Sequence, residues 1–405
     1  MKQLIKNTWL LIIPLLVLGS LMTACEKDDE EMVMSGEPSI SYVRVTDPAA
    51  ADSLLVGAPL GDLIAIVGEN LGSTKHLWFN DQKAALEPSY VTDRTILVNI
   101  PNKAPTEVTD VMTLVFANGD TLRYPFEVTI APPLVLAMEN EYAPIGTETT
   151  VTGDFFFEPV AITFTGGAEA EIIAMDQNAV TFIVPEGAQT GPVSFTTAFG
   201  TTISNFHYKD QRNIILNYDD LTAEGSWRPG PIASEDGIDG NYLKLGGVLA
   251  ANERIEDNFE SQFWGHTRYD VPTNLVEGYP EDLVLKFEAR ADDWYGSILN
   301  ITWGPWDNAG NQEVWSNLNG RGLWRPWVEH DAPFDTEGEW ITVTIPLTEM
   351  IYSHNQDADG NNIWEPDMKF DKDVTGTLSF WVIATPKADS TPFELHIDNV
   401  RIVEK

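Results

Sequence analysis

The chain has 405 residues, 62 acidic against 24 basic side chains, a formal charge of −38 and one cysteine. At roughly 100–200 residues per domain, this length accommodates about two to four domains, each able to bury its own core. A surface this acidic excludes nucleic acid as a partner and disfavours docking on anionic lipid, and a lone cysteine excludes a disulfide framework or a multi-cysteine zinc site.

Lys2 and Lys6 precede an apolar run, Trp9 to Leu18, broken only by Pro14 and followed by Gly19 and Ser20. This predicts a secretory signal peptide over 1–24, too short for a membrane span. The run ends in Leu21-Met22-Thr23-Ala24-Cys25, which resembles the bacterial lipobox, although Met22 stands where Leu is commonest. That resemblance implies a diacylglycerated Cys25 as the mature N-terminus. Glu26-Lys27-Asp28-Asp29-Glu30-Glu31 follows, and a Lys among acids just past the cysteine resembles the surface-export signal of Bacteroidota lipoproteins. Residues 25–37 read as a polar, acylated tether, held by several acyl chains more firmly than by one. The expectation is an outer-membrane lipoprotein, anchored through lipid and facing outward.

From Pro38 onward, short β-branched runs alternate with Gly, Asn, Asp and Pro, and no long helical stripe occurs, which predicts all-β sandwiches. An internal repeat is visible. Leu63-Ile64-Ala65-Ile66-Val67-Gly68-Glu69-Asn70-Leu71, then Leu77-Trp78-Phe79, then Ile96-Leu97-Val98-Asn99-Ile100-Pro101 form one copy. Thr149-Thr150-Val151-Thr152-Gly153-Asp154-Phe155-Phe156, then Ala161-Ile162-Thr163-Phe164, then Val180-Thr181-Phe182-Ile183-Val184-Pro185 form the other. This order resembles the immunoglobulin-like IPT/TIG domain, over 38–130 and 132–209, with glycines expected at positive-φ turns and each Pro capping an edge strand. Neither copy clusters catalytic residue types, and both read as spacers, with Trp78 a core residue.

Composition shifts after residue 210. Of 13 Trp, 11 lie in 210–405, six of them between Trp294 and Trp327. A sandwich core does not easily bury so many indoles, since each buried N–H needs a partner, so several are expected on an exposed binding surface. Indole faces stack on the C–H face of pyranose rings while Asn, Arg and acids bond the hydroxyls. The candidate glycan-binding residues are Trp303, Trp306, Trp324, Trp327, Trp364, Asn311, Arg321 and Arg325. The first four flank Gly304-Pro305 and Arg325-Pro326, where rings are expected at strand ends or in loops. Strand patterns at Leu283–Ala289, Leu378–Ala384 and Phe393–Ile397 predict a jelly roll, with Trp340 and Trp381 structural. Gly338 to Leu347 and Ile397 to Ile402 resemble strands of carbohydrate-binding-module sandwiches.

Together, the acylated Cys, two IPT/TIG-like spacers and a Trp-rich sandwich at 210–405 resemble surface glycan-binding proteins of Bacteroidota polysaccharide-utilisation loci with a xyloglucan-binding-type C-terminal domain. The resemblance implies non-catalytic capture of a plant polysaccharide, xyloglucan or a related β-glucan or mannan. It also implies an outer-membrane transporter and its lid lipoprotein as partners. Alternatives are an adhesion or structural protein whose IPT/TIG domains bind protein, and a glycoside hydrolase. Two carboxylates at catalytic spacing would be unremarkable among 62 acids. No strand-like run carries the Glu-x-Asp-x-x-Glu motif of laminarinase-like enzymes, and the sequence lacks Gly-x-Ser-x-Gly and His-Glu-x-x-His. No cofactor is required. A structural calcium has one candidate loop, Asn355, Asp357, Asp359 and Asn361, with oxygens at alternate positions and Gly360 sixth, though Pro366 stands where the bidentate Glu belongs. Asp398 with Asp219 is a weaker second candidate.

Overall fold

The computed structural model describes residues 36–50, 52–219, 232–250, 260–264, 279–304, 317–358, 362–375, 377–387 and 390–405. The expected leader, Cys25, Trp306, Asn311, Asp359 and Asn361 lie outside these. Period-two patterning dictates strands throughout: in Val111–Phe116, Met112, Leu114 and Phe116 point inward while their neighbours are half-exposed. The chain divides into two compact units, 1–130 and 131–405.

In the first unit, strands Leu54–Leu55, Ser39–Val45, Leu63–Glu69 and Thr95–Asn99 form one sheet in that order. Gln82–Lys83, Thr74–Phe79, Val111–Phe116 and Thr121–Pro125 form the sheet facing it. Ile64, Ile66, Leu77, Ile96, Met112, Leu114 and Phe126 fill the space between.

The second unit begins with a smaller sandwich of the same design. Leu134–Met138, Glu148–Asp154, Ala179–Ile183 and Glu171–Met175 face Ala161–Thr165, Gln189–Thr197 and Gly200–Tyr208 across a core of Val151, Phe164, Phe182, Phe195 and Tyr208. The repeat has a steric basis that differs from the expected one. Gly68 and Gly153 do not adopt positive φ; that conformation falls two residues later, at Asn70 and Phe155. A Cβ on Gly68 would sit 1.9 Å from the Ser39 carbonyl oxygen, and one on Gly153 1.9 Å from that of Leu134. In both copies the first strand bulges at this point, between Ile40 and Tyr42 and between Val135 and Ala137, so its backbone presses on the glycine. Pro101 follows an edge strand as expected, whereas Pro185 follows Ala179–Ile183, which is paired on both sides.

The remainder is a larger sandwich. Its long sheet runs Ile232–Ala233, Tyr242–Ala250, Ser390–Glu404, Leu283–Asp292 and Ile341–Pro346, with Ile214–Leu216 added beside Ser390–Glu404. Its short sheet runs Glu260–Trp264, Thr377–Ala384, Ser297–Gly304 and Gly322–Trp324. Leu285, Phe287, Leu299, Ile301, Trp303, Phe380, Val382, Leu395 and Ile402 pack between them.

The small sandwich is seated on the outer face of the long sheet by buried charge. The Glu141 carboxylate pairs with Lys286 and with Arg401 Nη2 at 2.7 Å, and the same Arg401 nitrogen lies 2.8 Å from Glu288. Glu141 N–H donates to Thr342 Oγ1 at 2.8 Å, and that hydroxyl donates to Glu288 at 2.6 Å. Thr342 N–H donates to the Glu139 carbonyl at 2.7 Å, and the Tyr142 hydroxyl donates to the Asp210 carbonyl at 2.6 Å. Burial pushes Glu288 up to about 7 although Arg401 opposes the shift. Removing one partner of such a cluster strands the others in the interior. Glu141→Ala is therefore expected to cost about 3–5 kcal/mol in urea denaturation of the whole chain; a loss below about 1 kcal/mol would show that the cluster is not what seats the domain.

Asp398, on the closing strand, is buried and accepts the Asn399 N–H at 2.7 Å. Burial, with smaller contributions from the carboxylates of Asp239, Asp219 and Glu288, pushes it up to about 8. A carboxyl raised in the folded state stabilises fully below its unfolded pKa and loses that contribution as pH rises through the folded value. The window is thus about pH 4 to 8. Asp398→Asn should flatten the fall in thermal midpoint across this window, raising it more at pH 8 than at pH 5; parallel pH profiles for the two proteins would contradict the assignment.

Candidate functional site

The outer face of the short sheet is where aromatic side chains gather away from the main core. On Ser297–Gly304, Leu299, Ile301 and Trp303 point into the core, which turns Ile298, Asn300 and Thr302 outward. On Thr377–Ala384, Leu378, Phe380 and Val382 point inward and Ser379, Trp381 and Ile383 outward. Pairing places Trp381 opposite Asn300 and Ile383 opposite Ile298. The Trp381 indole N–H donates to Thr302 Oγ1 at 2.9 Å, which fixes the ring against the neighbouring strand. Ile298, Trp381 and Ile383, with Leu323 and Trp364, form a satellite apolar cluster separate from the main core.

A hairpin, Ser353–Gln356 with Asn362–Glu365, covers part of this face. His354 is paired with Trp364 across it, and their rings stack with centroids 4.8 Å apart and 15° between planes. Trp381 meets Trp364 at 6.1 Å and His354 at 5.5 Å. Beside the stack opens a cleft of about 380 Å³ lined by Trp364, Trp327, Ile298, Arg325, Thr385 and Lys387, among others. Trp364 is half-buried, so one ring face is held by His354 while the side chain still borders open space. The arrangement offers a flat apolar surface with cationic and hydroxyl groups at its edge. Among the described residues it contains no nucleophile–base pair, and the arrangement supports binding.

Two asparagines brace the hairpin and the segment that follows it. Asn317 accepts the His354 N–H at 2.6 Å and donates to Asn355 Oδ1 at 3.0 Å. Asn319 ties Gly320, Asp371 and Val374 together through four hydrogen bonds of 2.7–2.9 Å. Gly320 lies so near Met350 that a Cβ would sit 2.0 Å from its carbonyl oxygen.

Several expected binding residues are corrected by their position. Trp303 is 1% exposed, on the core side of its strand, with its N–H directed at the Met350 sulfur 3.2 Å away. Trp324 packs in the same core among Phe287, Trp294 and Phe334. Trp327 is 8% exposed and donates to the Ser297 carbonyl at 2.7 Å, leaving only part of its ring on the cleft. Arg321 is fully buried, its guanidinium 5.5 Å from the Trp381 ring centroid. The sandwich accommodates these indoles because most have partners for the N–H. Trp340, also mostly buried, donates to the Asp236 carbonyl at 3.3 Å. Trp364 and Arg325 do border the cleft, and Arg325 lies over Tyr352 at 5.4 Å.

His354 and Trp381 were not singled out as site residues by sequence. His354 carries no signal beyond its hairpin partner, whereas the parity of Trp381 with Ser379 and Ile383, opposite to Leu378, Phe380 and Val382, marks it as outward-facing. The expected calcium loop is a hairpin turn at its start: Asn355 lies on a strand with its Oδ1 engaged by Asn317, and Asp357 is exposed. Among the described residues no group of three or more Asp, Glu, His or Cys side chains could hold a metal, Asp219 and Asp398 included.

Comparison with known proteins agrees with this geometry. Residues 208–404 match the family described as the surface glycan-binding protein B xyloglucan binding domain. An IPT/TIG domain-containing protein of Bacteroides ovatus is 23% identical over the whole of both chains. The crystal structure of a surface glycan-binding protein B from Prevotella bryantii is 29% identical, with a TM-score of 0.74 covering 92% of this chain and all of that one.

The face and the core make opposite demands on substitution. Trp364→Ala is expected to weaken retention on polysaccharide affinity gels at least about fivefold, roughly 1 kcal/mol, with the thermal midpoint little changed. Trp303→Ala should instead cost about 3–5 kcal/mol of stability. Retention unaffected by Trp364→Ala would move the site elsewhere.

Proposed function

We propose that this chain, whose residues 208–404 belong to the xyloglucan-binding domain family of surface glycan-binding protein B, captures a β-glucan chain at the cell surface without cleaving it. The observation that carries this is the Trp364 ring, stacked on His354 and bordering a cleft, on the outer face of a family-matched sandwich. Sugar rings lie on the aromatic platform, and polar groups at its edge bond their hydroxyls. Trp306 and Asn311, which lie outside the described residues, are proposed as further glycan contacts. The IPT/TIG-type sandwiches precede this face in the chain and are proposed to act as spacers.

A surface location is that of the family. Anchorage in the outer membrane through an acylated Cys25, and delivery of the glycan to a transporter with its lid lipoprotein, rest on the leader sequence and domain order. Xyloglucan, mixed-linkage glucan and mannan should be offered to the mature chain by isothermal titration, with released reducing ends assayed in parallel. Binding of at least one β-glucan with no reducing ends released is the expected outcome. Failure of all three to bind, or steady release of reducing ends, would overturn the proposal. Cys25→Ser should shift the protein from the membrane to the soluble fraction; unchanged membrane association would contradict the anchor.

A further inference from the structure

The cleft beside Trp364 has a charge character opposite to that of the molecule. The chain carries 62 acidic and 24 basic side chains, yet among the described residues the charged ones lining this cleft are Arg325 and Lys387, with no carboxylate. Arg321 and His354 lie in the same satellite assembly, against Trp381 and Trp364 respectively. Lys387 is paired with Asp331 at 2.8 Å, both groups being substantially exposed, and Asp331 also accepts the Tyr295 hydroxyl at 3.1 Å. An exposed pair of this kind contributes little and opens readily to a competing anion. Arg325 forms no salt bridge among the described residues; its guanidinium lies over the Tyr352 ring, which fixes its plane without neutralising it. The Thr385 hydroxyl donates to the Gly296 carbonyl at 2.8 Å and accepts the Lys387 N–H at 3.3 Å, which leaves one lone pair for a sugar hydroxyl.

A neutral β-glucan gains nothing particular from this arrangement. A carboxylate does: a half-buried, oriented guanidinium beside a stacking ring, with no salt bridge among the described residues, recognises it through paired N–H groups. The volume of about 380 Å³ admits a sugar branch as well as the edge of a backbone ring. Building on the glycan-binding function above, we propose that this cleft is a subsite for a hexuronic acid, so that the preferred ligand is an acidic branched glycan whose neutral backbone rests on Trp364. A surface of charge −38 repels polyanions at long range, so the ligand is one with occasional acidic branches rather than an acid at every residue.

The test compares each acidic polysaccharide with its own carboxyl-reduced form, which changes charge while keeping linkage. Glucuronoxylan and a galacturonate-bearing xyloglucan, native and reduced, are titrated into the mature chain at low and high NaCl, with neutral xyloglucan and mixed-linkage glucan alongside. Tighter binding of at least one acidic form, by about tenfold over its reduced counterpart and diminishing with salt, is expected. Arg325→Gln should bring the two forms together, and Arg325→Lys should retain part of the preference, each checked for an unaltered melting profile. Equal or weaker binding of both acidic forms overturns the uronic acid subsite, while binding of the neutral glucans leaves the broader function standing. Binding of none of these polymers overturns both.

Discussion

Four charges buried on one face of a β-sheet constrain the second unit of this protein. Glu141 comes from the small sandwich, and Lys286, Glu288 and Arg401 from the large one, so the interior holds two anions and two cations. Each would be prohibitive alone, because desolvating an ion costs several kcal/mol, and the set is tolerable only when complete. Thr342 completes it by accepting from the Glu141 backbone and donating to Glu288, so the hydrogen-bond geometry as well as the charge is specified. The two sheets of the large sandwich divide the remaining tasks. The long sheet gives its outer face to the neighbouring domain, and the short sheet is left to carry the hairpin and cleft.

The short sheet's outer face is organised in layers. Trp381 lies on the strands, fixed by Thr302; His354 and Trp364 lie above it on the hairpin; the cleft opens beside them. A ring already confined by stacking has little motion to lose when a ligand arrives, so more of the contact energy is realised as affinity. Asn317 and Asn319 stabilise this arrangement by replacing backbone partners that the irregular segments lack.

Strand placement and the tandem repeat were legible because period-two alternation and turn residues are local properties. The burial of Trp303 was equally legible, since it shares parity with Leu299 and Ile301. Counting indoles obscured that, because composition says nothing about which face a ring takes. Gly68 and Gly153 were recognised as special for the wrong steric reason: the constraint is a bulging neighbour strand, not their own φ. The Glu141 cluster lay beyond reading, since its partners are 145 and 260 residues away and each resembles an ordinary surface charge until the domains meet. His354 likewise acquires meaning only through the register of a short hairpin.

The position of Arg401 also governs the order in which the molecule can be completed. Strand Ser390–Glu404 is the middle of the long sheet, pairing with Tyr242–Ala250, Leu283–Asp292 and Ile214–Leu216, yet it follows all three in the chain and so emerges after them during synthesis. Until it arrives, three segments lack their common neighbour and Glu141 faces only half of its cation complement. Chains cut short by premature termination would therefore present open strand edges and an unseated small sandwich together. One late-arriving segment thus makes incomplete copies conspicuous to proteases before any of them could display a glycan-binding face.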